Sequence, residues 1–369
     1  MQSTNRKWQN HLNSKGIIPF FLDRLKSHAL RSDWQHKSNS FFLPMQNDES
    51  DDALSKAFFK MIEEFPYEFY MEITNKCNLD CKMCARSVMK RPQGIMKNSL
   101  FKKIIDEIIS NQPYAYIHYY GIGESLLDPD LLEKLEYAQK KGVKNSVIFT
   151  NGQLLLENDL FKKLIHSGIA TIGIDIDGFT PEIYNSIRRG GDFFVTKKAI
   201  ETIYHYARKS SLNTRIELAY QVYPGINDNE KDIEKFIKWC NANQYEYKLV
   251  NMHTWSGLRQ DVPKTNLKGL PDDHFSQRQN PCCMLWSGFF IAWDGRIAIC
   301  FQDADLNECM GDVNKESITS IWNNSLKKKR FNHVNGIIEG LCKKCVSGTN
   351  VKLPPFKSSI YPEELLLKV

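Results

Sequence analysis

The sequence predicts an α/β fold in which strand-like and helical segments alternate six times, followed by a smaller cysteine-bearing region. Three observations carry that prediction: short runs of aromatic and β-branched residues, amphipathic stretches between them, and cysteines gathered into two groups. Such alternation implies parallel βαβ units joined by right-handed crossovers.

In chain order, residues 1–66 read as an N-terminal extension, basic and irregular, with Pro19, Pro44 and an acidic patch at 47–52 before a short helix, ALSKAFFKMIEEF. The core, residues 67–255, opens with YEFYMEIT (67–74). It continues through YAYIHYYG (114–121), NSVIFTNG (145–152), ATIGIDID (170–177), RIELAYQVY (215–223) and YEYKLVNMH (245–253). These residue types suit a pleated, half-buried strand, and most runs close at or beside Gly, Asn or Asp. Between them lie SLFKKIIDEIIS, PDLLEKLEYAQKKG, ENDLFKKLIHSG, FVTKKAIETIYHYARKS and DNEKDIEKFIKWCNAN. Apolar residues there recur at spacings of three and four, and several stretches end at glycine. Residues 256–281 are polar, contain three prolines and read as a linker. Residues 282–346 hold the second cysteine group, and 347–369 form a C-terminal tail.

The composition of the 369 residues, 42% hydrophobic and 25% charged, is that of a soluble globular protein. A net charge of +6, spread over many lysines, reads as a solvated surface rather than a nucleic-acid site. No segment approaches the ~20 apolar residues needed to span a bilayer. The apolar run at 16–22 holds a proline and lacks a cleavage site, so it is no secretory signal. A cytoplasmic chain keeps its thiols reduced, and ten cysteines there call for a metal or redox explanation before a disulfide one. Cys240, alone on an amphipathic stretch, reads as a small buried hydrophobe.

Cys77, Cys81 and Cys84 fall within EITNKCNLDCKMCARS, just past the first strand, where parallel sheets carry their chemistry. Three thiolates are one fewer than a structural zinc site or an ordinary iron–sulfur cluster takes. A partial zinc site or three unrelated thiols are the plain alternatives. Three thiolates on a cubane leave one iron without a protein ligand, and an open metal position is the mark of a catalytic site.

This CxxxCxxC loop resembles that of radical S-adenosylmethionine (SAM) enzymes, and the resemblance extends over residues 67 to about 346. It implies a partial (β/α)6 TIM-like barrel with a small C-terminal β-hairpin/helix iron–sulfur domain. It also implies that SAM chelates the unique iron of a 4Fe–4S cluster and is cleaved reductively to a 5′-deoxyadenosyl radical, which takes a hydrogen atom from substrate. Gly121, Gly123 and Glu124 stand where the family receives the SAM amino group, with Ile122 in place of one glycine. Asn151 lies in a TNG that is also a turn signal, and Asp175 sits where serine is common. Arg188 would face the SAM carboxylate. Met83 replaces an aromatic found in many members.

In the second group, FFIAWDGRIAIC reads as a hairpin with Asp-Gly at its turn, bringing Cys282 and Cys300 onto neighbouring strands. A helix, KESITSIWNNSLKKKRF, then leads to Cys342 and Cys345. Four thiols accept zinc or iron–sulfur alike. Resemblance to the SPASM/twitch extension of radical SAM enzymes implies one auxiliary 4Fe–4S cluster on Cys282, Cys300, Cys342 and Cys345. Cys283 and Cys309 are spare; they are packing residues or candidate hydrogen donors to a substrate radical.

The resemblance implies an oxidoreductase or epimerase. A fully ligated cluster suits electron acceptance and net oxidation; a thiol donor suits inversion. The resemblance further implies a small hydroxylated substrate (sugar, aminocyclitol or related natural-product intermediate), with modification of a ribosomally made peptide as the alternative. A non-catalytic metal-binding protein is the remote alternative. The implied electron donor is a flavodoxin or ferredoxin, with no nucleic-acid or membrane partner.

Overall fold

The structure is a computed structural model and describes residues 64–210, 212–223, 230–251, 284–334 and 336–345, with Asn227, Trp255 and Leu258. The helix expected in ALSKAFFKMIEEF lies almost wholly outside the described residues. So do the 256–281 linker apart from Leu258, the 347–369 tail, and Cys282 and Cys283.

All six expected strands are present: β1 (Glu68–Met71), β2 (Tyr116–His118), β3 (Asn145–Thr150), β4 (Thr171–Asp175), β5 (Arg215–Val222) and β6 (Tyr247–Asn251). Each pairs in parallel with its sequence neighbour. The crossovers are helical: α1 (Asn98–Asn111), α2 (Leu131–Lys140), α3 (Leu160–His166), then α4 (Pro181–Ile187) with α5 (Phe193–Lys209), and α6 (Glu230–Asn243). This is the partial (β/α)6 TIM-like arrangement expected.

The two strand faces differ because side chains alternate along a strand. Phe69 and Met71 of β1, Ile117 of β2 and Ile148 of β3 join a buried cluster with Phe101, Ile104 and Ile108 of α1. At about 1.5–3 kcal/mol for each fully buried large apolar side chain, this shared core holds helices to sheet. Cys240 is part of it, as a packing residue. The opposite face carries polar and aromatic side chains. Tyr70 stacks on His118 at 4.0 Å and on Phe290 at 4.4 Å, and Lys248 Nζ lies 4.4 Å from the Phe149 ring centre.

α4 has no counterpart among the helical stretches read from the sequence. Its seven residues start on a Thr180 cap whose Oγ1 accepts the Ile183 N–H, with Pro181 at the first position. The chain then turns and begins α5 on Asp192, which accepts the Phe194 and Val195 N–H groups.

After the short α7 (Met284–Ser287), strands β7 (Gly288–Ile291), β8 (Arg296–Ala298) and β9 (Cys309–Asp312) extend the same sheet. β7 runs parallel to β1, so β1 lies between β2 and β7. β7 and β8 form the expected hairpin, and Gly295 takes the left-handed turn position at φ +92°. The helix expected across 315–331 is broken into α8 (Ile318–Ile321), a π-helical turn (Trp322–Leu326) and α9 (Lys327–Val334), before α10 (Gly340–Lys344).

Candidate active site

The first cysteine loop leaves the C-terminal end of β1 and is closed at its base. Thr74 Oγ1 donates to Gly94 O at 2.6 Å, and the Asn75 amide donates to Pro92 O at 2.9 Å and accepts Gly94 N–H at 2.8 Å. Its middle lies along the end of α4, with Asp80 N–H donating to Arg189 O and Lys82 N–H to Ile187 O. Leu79, Cys81 and Met83 are buried with Ile187 and Tyr223, and Cys77 and Cys84 pack at the edge of that small cluster. The structure therefore brings Cys77, Cys81 and Cys84 into one patch.

Burial pushes all three thiols up, Cys81 to about 12, although Arg188 works against the rise at Cys81. A metal that binds there must displace protons. Among the described residues, no three His, Cys, Asp or Glu side chains gather as a single metal ion requires. A cubane, with each thiolate on a different corner iron, does not ask for that.

The ends of β2 and β3 are built against this loop. Glu124 N–H donates to Lys76 O at 2.8 Å. A Cβ on Gly123 would stand 2.3 Å from Thr74 O and 2.5 Å from Lys76 O, and one on Gly121 would meet the Glu72 side chain at 2.7 Å. These glycines are needed for the close approach of neighbouring strand ends. The Glu124 carboxylate is buried and accepts Leu126 N–H at 3.1 Å and Asn151 N–H at 2.8 Å. Burial pushes it up to about 7 despite those donors. The Asn151 amide donates to Asn78 Oδ1 at 2.8 Å and lies 4.0 Å from Cys77 Sγ.

Arg188, only 5% exposed, sits between two carboxylates. Its Nε and one terminal nitrogen reach Asp177 Oδ2 at 2.7 and 2.6 Å, and that nitrogen also lies 3.2 Å from Asp175 Oδ2. Burial disfavours the guanidinium charge, yet Asp177 and Asp175 hold its pKa well above the usual value. Asp177 is the residue that sequence reasoning passed over in favour of Asp175. Its complete burial has no local sequence signal beyond its place after β4.

In the second group, Cys300 follows β8 and packs against the buried cluster of Phe290, Ala292, Ala298 and Leu306. Cys342 is buried in α10 and Cys345 caps its end. The Glu308 carboxylate accepts Leu341 N–H in α10 and pairs with Lys329, which anchors that turn. Cys309 is exposed on the edge strand β9, its thiol donating to Gly311 O at 3.3 Å.

A three-cysteine loop at the C-terminal end of the first strand of a parallel sheet, with a second cysteine region on the same sheet, defines the class of protein. Residues 71–240 match the radical SAM superfamily, and residues 282–346 match SPASM, an iron–sulfur cluster-binding domain. The chain carries a radical SAM domain with a SPASM domain after it. The two matched domains accordingly take a SAM-binding 4Fe–4S cluster, SAM and an auxiliary iron–sulfur cluster as cofactors.

Over 150 residues the chain is 29% identical to the mycofactocin maturase MftC of Mycobacterium ulcerans, covering 39% of this chain and 40% of that protein. The chain thus spans well under two thirds of that relative's length. Its fold matches SuiB of Streptococcus suis bound to precursor peptide SuiA, with TM-score 0.57, 14% identity, and coverage of 85% of this chain and 79% of that one. It also matches BtrN in complex with AdoMet and 2-DOIA, with TM-score 0.52, 17% identity, and coverage of 78% of this chain and 94% of that one. No described helix is long and apolar enough to cross a membrane.

Proposed function

We propose that the chain oxidises or epimerises a small hydroxylated substrate, with Cys77, Cys81 and Cys84 holding the SAM-binding cluster. The donor set fits that group. It offers three soft sulfur donors in one patch, while Glu124 is engaged by two N–H groups. When bound, the SAM cluster supplies reductive C–S cleavage and a hydrogen-abstracting radical, and an auxiliary cluster on Cys282, Cys300, Cys342 and Cys345 supplies an electron acceptor.

The chain's own residues place and shield these groups. Gly121, Gly123 and Glu124 put a buried carboxylate where the amino end of SAM arrives, and Asn151 secures the Cys77 side of the loop. Arg188 offers a cation to the SAM carboxylate. Asp175, already paired with Arg188, orients that guanidinium and does not itself touch the anion. Substrate lies on the sheet face carrying Tyr70, His118, Tyr120 and Lys248, where polar and aromatic side chains meet. A flavodoxin or ferredoxin supplies the reducing electron. Cys309, exposed on the edge strand, and Cys283 are the candidates for returning a hydrogen atom in an epimerisation.

The observation that carries the proposal is the fastening of the three-cysteine loop to the next two strand ends, through Glu124 N–H to Lys76 O and the Asn151–Asn78 amide pair. A second reading, modification of a ribosomally made peptide, is favoured by the similarity to a mycofactocin maturase and to a structure holding a precursor peptide.

The test is anaerobic reconstitution followed by SAM and a strong reductant. 5′-Deoxyadenosine should form, and deuterium should move into it from a labelled sugar or aminocyclitol. Deuterium arriving only from a labelled peptide selects the second reading. Well-loaded protein that yields no 5′-deoxyadenosine defeats both.

A further inference from the structure

We propose that Arg91 and Asp305 are positioning residues that fasten the second cysteine region onto the first cysteine loop, so that the loop keeps its SAM-binding shape only while the residues after Cys300 hold it. The claim rests on the proposed SAM site and adds to it a coupling between the two cysteine regions.

Three sets of contacts run from residues 301–305 to residues 83–91. Asp305 Oδ1 accepts the backbone N–H groups of Lys90 at 2.6 Å and Arg91 at 3.1 Å. Ala304 gives its carbonyl to Arg91 Nε at 2.5 Å and packs with Ala85, Ile122 and the edge of Cys84. Phe301, beside Cys300, meets the Trp255 ring edge-on at 6.5 Å, and Trp255 Nε1 donates to Met83 O at 2.9 Å. Trp255 does so from a positive φ of 51°, an uncommon conformation for so bulky a residue.

Arg91 completes the fastening by gripping Glu72 at the end of β1 with both terminal nitrogens, at 2.6 and 2.5 Å. Glu72 is the side chain against which Gly121 packs, and it accepts Trp293 N–H from the β7–β8 turn at 3.4 Å. One buried ion pair therefore touches the cysteine loop, the GIGE strand end and the hairpin of the second region. Charge-assisted bonds in a buried setting are the strong kind, and a planar fork is not replaced by a lysine.

The experiment compares full-length wild type with Asp305→Ala, Asp305→Asn and Arg91→Lys, all reconstituted anaerobically. SAM is titrated against the electron paramagnetic resonance signal of the reduced first cluster. Asp305→Ala and Arg91→Lys should weaken SAM binding about tenfold and blunt its effect on the line shape, the size expected for losing bonds of this type. Asp305→Asn keeps an acceptor oxygen and should recover most of that loss, which a general destabilisation would not do.

Hydrogen exchange of residues 84–95, measured in apo and loaded protein, should rise in Asp305→Ala and return in Asp305→Asn. Unchanged SAM binding and exchange in Asp305→Ala, or an Asn variant as impaired as the Ala one, overturns the proposal. If the wild type shows no SAM-responsive cluster, the proposed function fails and the exchange comparison alone decides whether the fastening exists.

Discussion

Glu124 and Asn151 are joined across the ends of β2 and β3, the Glu124 Oε2 accepting the Asn151 backbone N–H at 2.8 Å. That bond and a second from Leu126 N–H soften, without cancelling, the cost of burying the carboxylate, whose pKa rises from 4.5 to about 7. The folded state therefore holds a proton that the unfolded chain releases. Stability from this group is full below about pH 4.5 and is lost as pH rises through about 7.

Urea unfolding of the apoprotein should show that loss directly. Relative to Glu124→Gln, which cannot ionise, wild type should lose on the order of 3 kcal/mol between acid and neutral pH. Parallel pH profiles for the two proteins would count against a buried, protonated Glu124.

Gly123→Ala should damage the first cysteine loop selectively. The added methyl would stand within 2.5 Å of two backbone oxygens, Thr74 O and Lys76 O, and neither can swing aside as a side chain would. Overpacking of this kind costs about 1–3 kcal/mol or more. Iron analysis after reconstitution should show the first site depleted and the second retained, so total iron falls by about half. Wild-type iron content would show that the loop tolerates a displaced β2 end.

Arg188 and its two aspartates should respond unequally to mutation. Arg188→Met leaves Asp177, which is fully buried, without its counter-charge, and breaking such a pair costs about 3–5 kcal/mol. Asp175 is 18% exposed and sits at the longer contact, 3.2 Å, so Asp175→Asn should cost under about 1 kcal/mol. Denaturation midpoints that shift equally would mean the charge is shared differently.

Much of this architecture was legible because it is written locally. The six parallel strands and five of their helices followed from alternation and periodicity, and the Asp294-Gly295 turn followed from its dipeptide. Three features had no local signature. β7 pairs with β1 across more than two hundred residues, and nothing in GFFI specifies that neighbour. Arg91 is an ordinary loop arginine until Glu72 and Asp305 are brought to it by the fold. The π-helical turn at Trp322–Leu326 interrupts a stretch whose periodicity reads as one helix, with Arg330 stacked 4.0 Å over the Trp322 ring. The cysteine loop was plain from spacing, whereas the pairing of Arg188 chiefly with Asp177 became visible only in three dimensions.

The cysteines should divide cleanly by iron count. Cys240→Ser places a hydroxyl at a fully buried core position and should cost about 1–3 kcal/mol while leaving iron unchanged. Cys300→Ala and Cys342→Ala should each lower iron from about eight to about four per chain. Zinc in place of iron at the second region would require a different role for it.

If Cys77, Cys81 and Cys84 hold the SAM-binding cluster as proposed, one of its irons is left open to SAM. Electron–nuclear double resonance on the reduced, reconstituted protein, with SAM carrying ¹⁵N in its amino group, reads that position directly. The account predicts a nitrogen coupling that appears with labelled SAM and vanishes in Cys81→Ala. A cluster whose spectrum ignores SAM, or whose fourth iron is held by a donor from the chain itself, would contradict it.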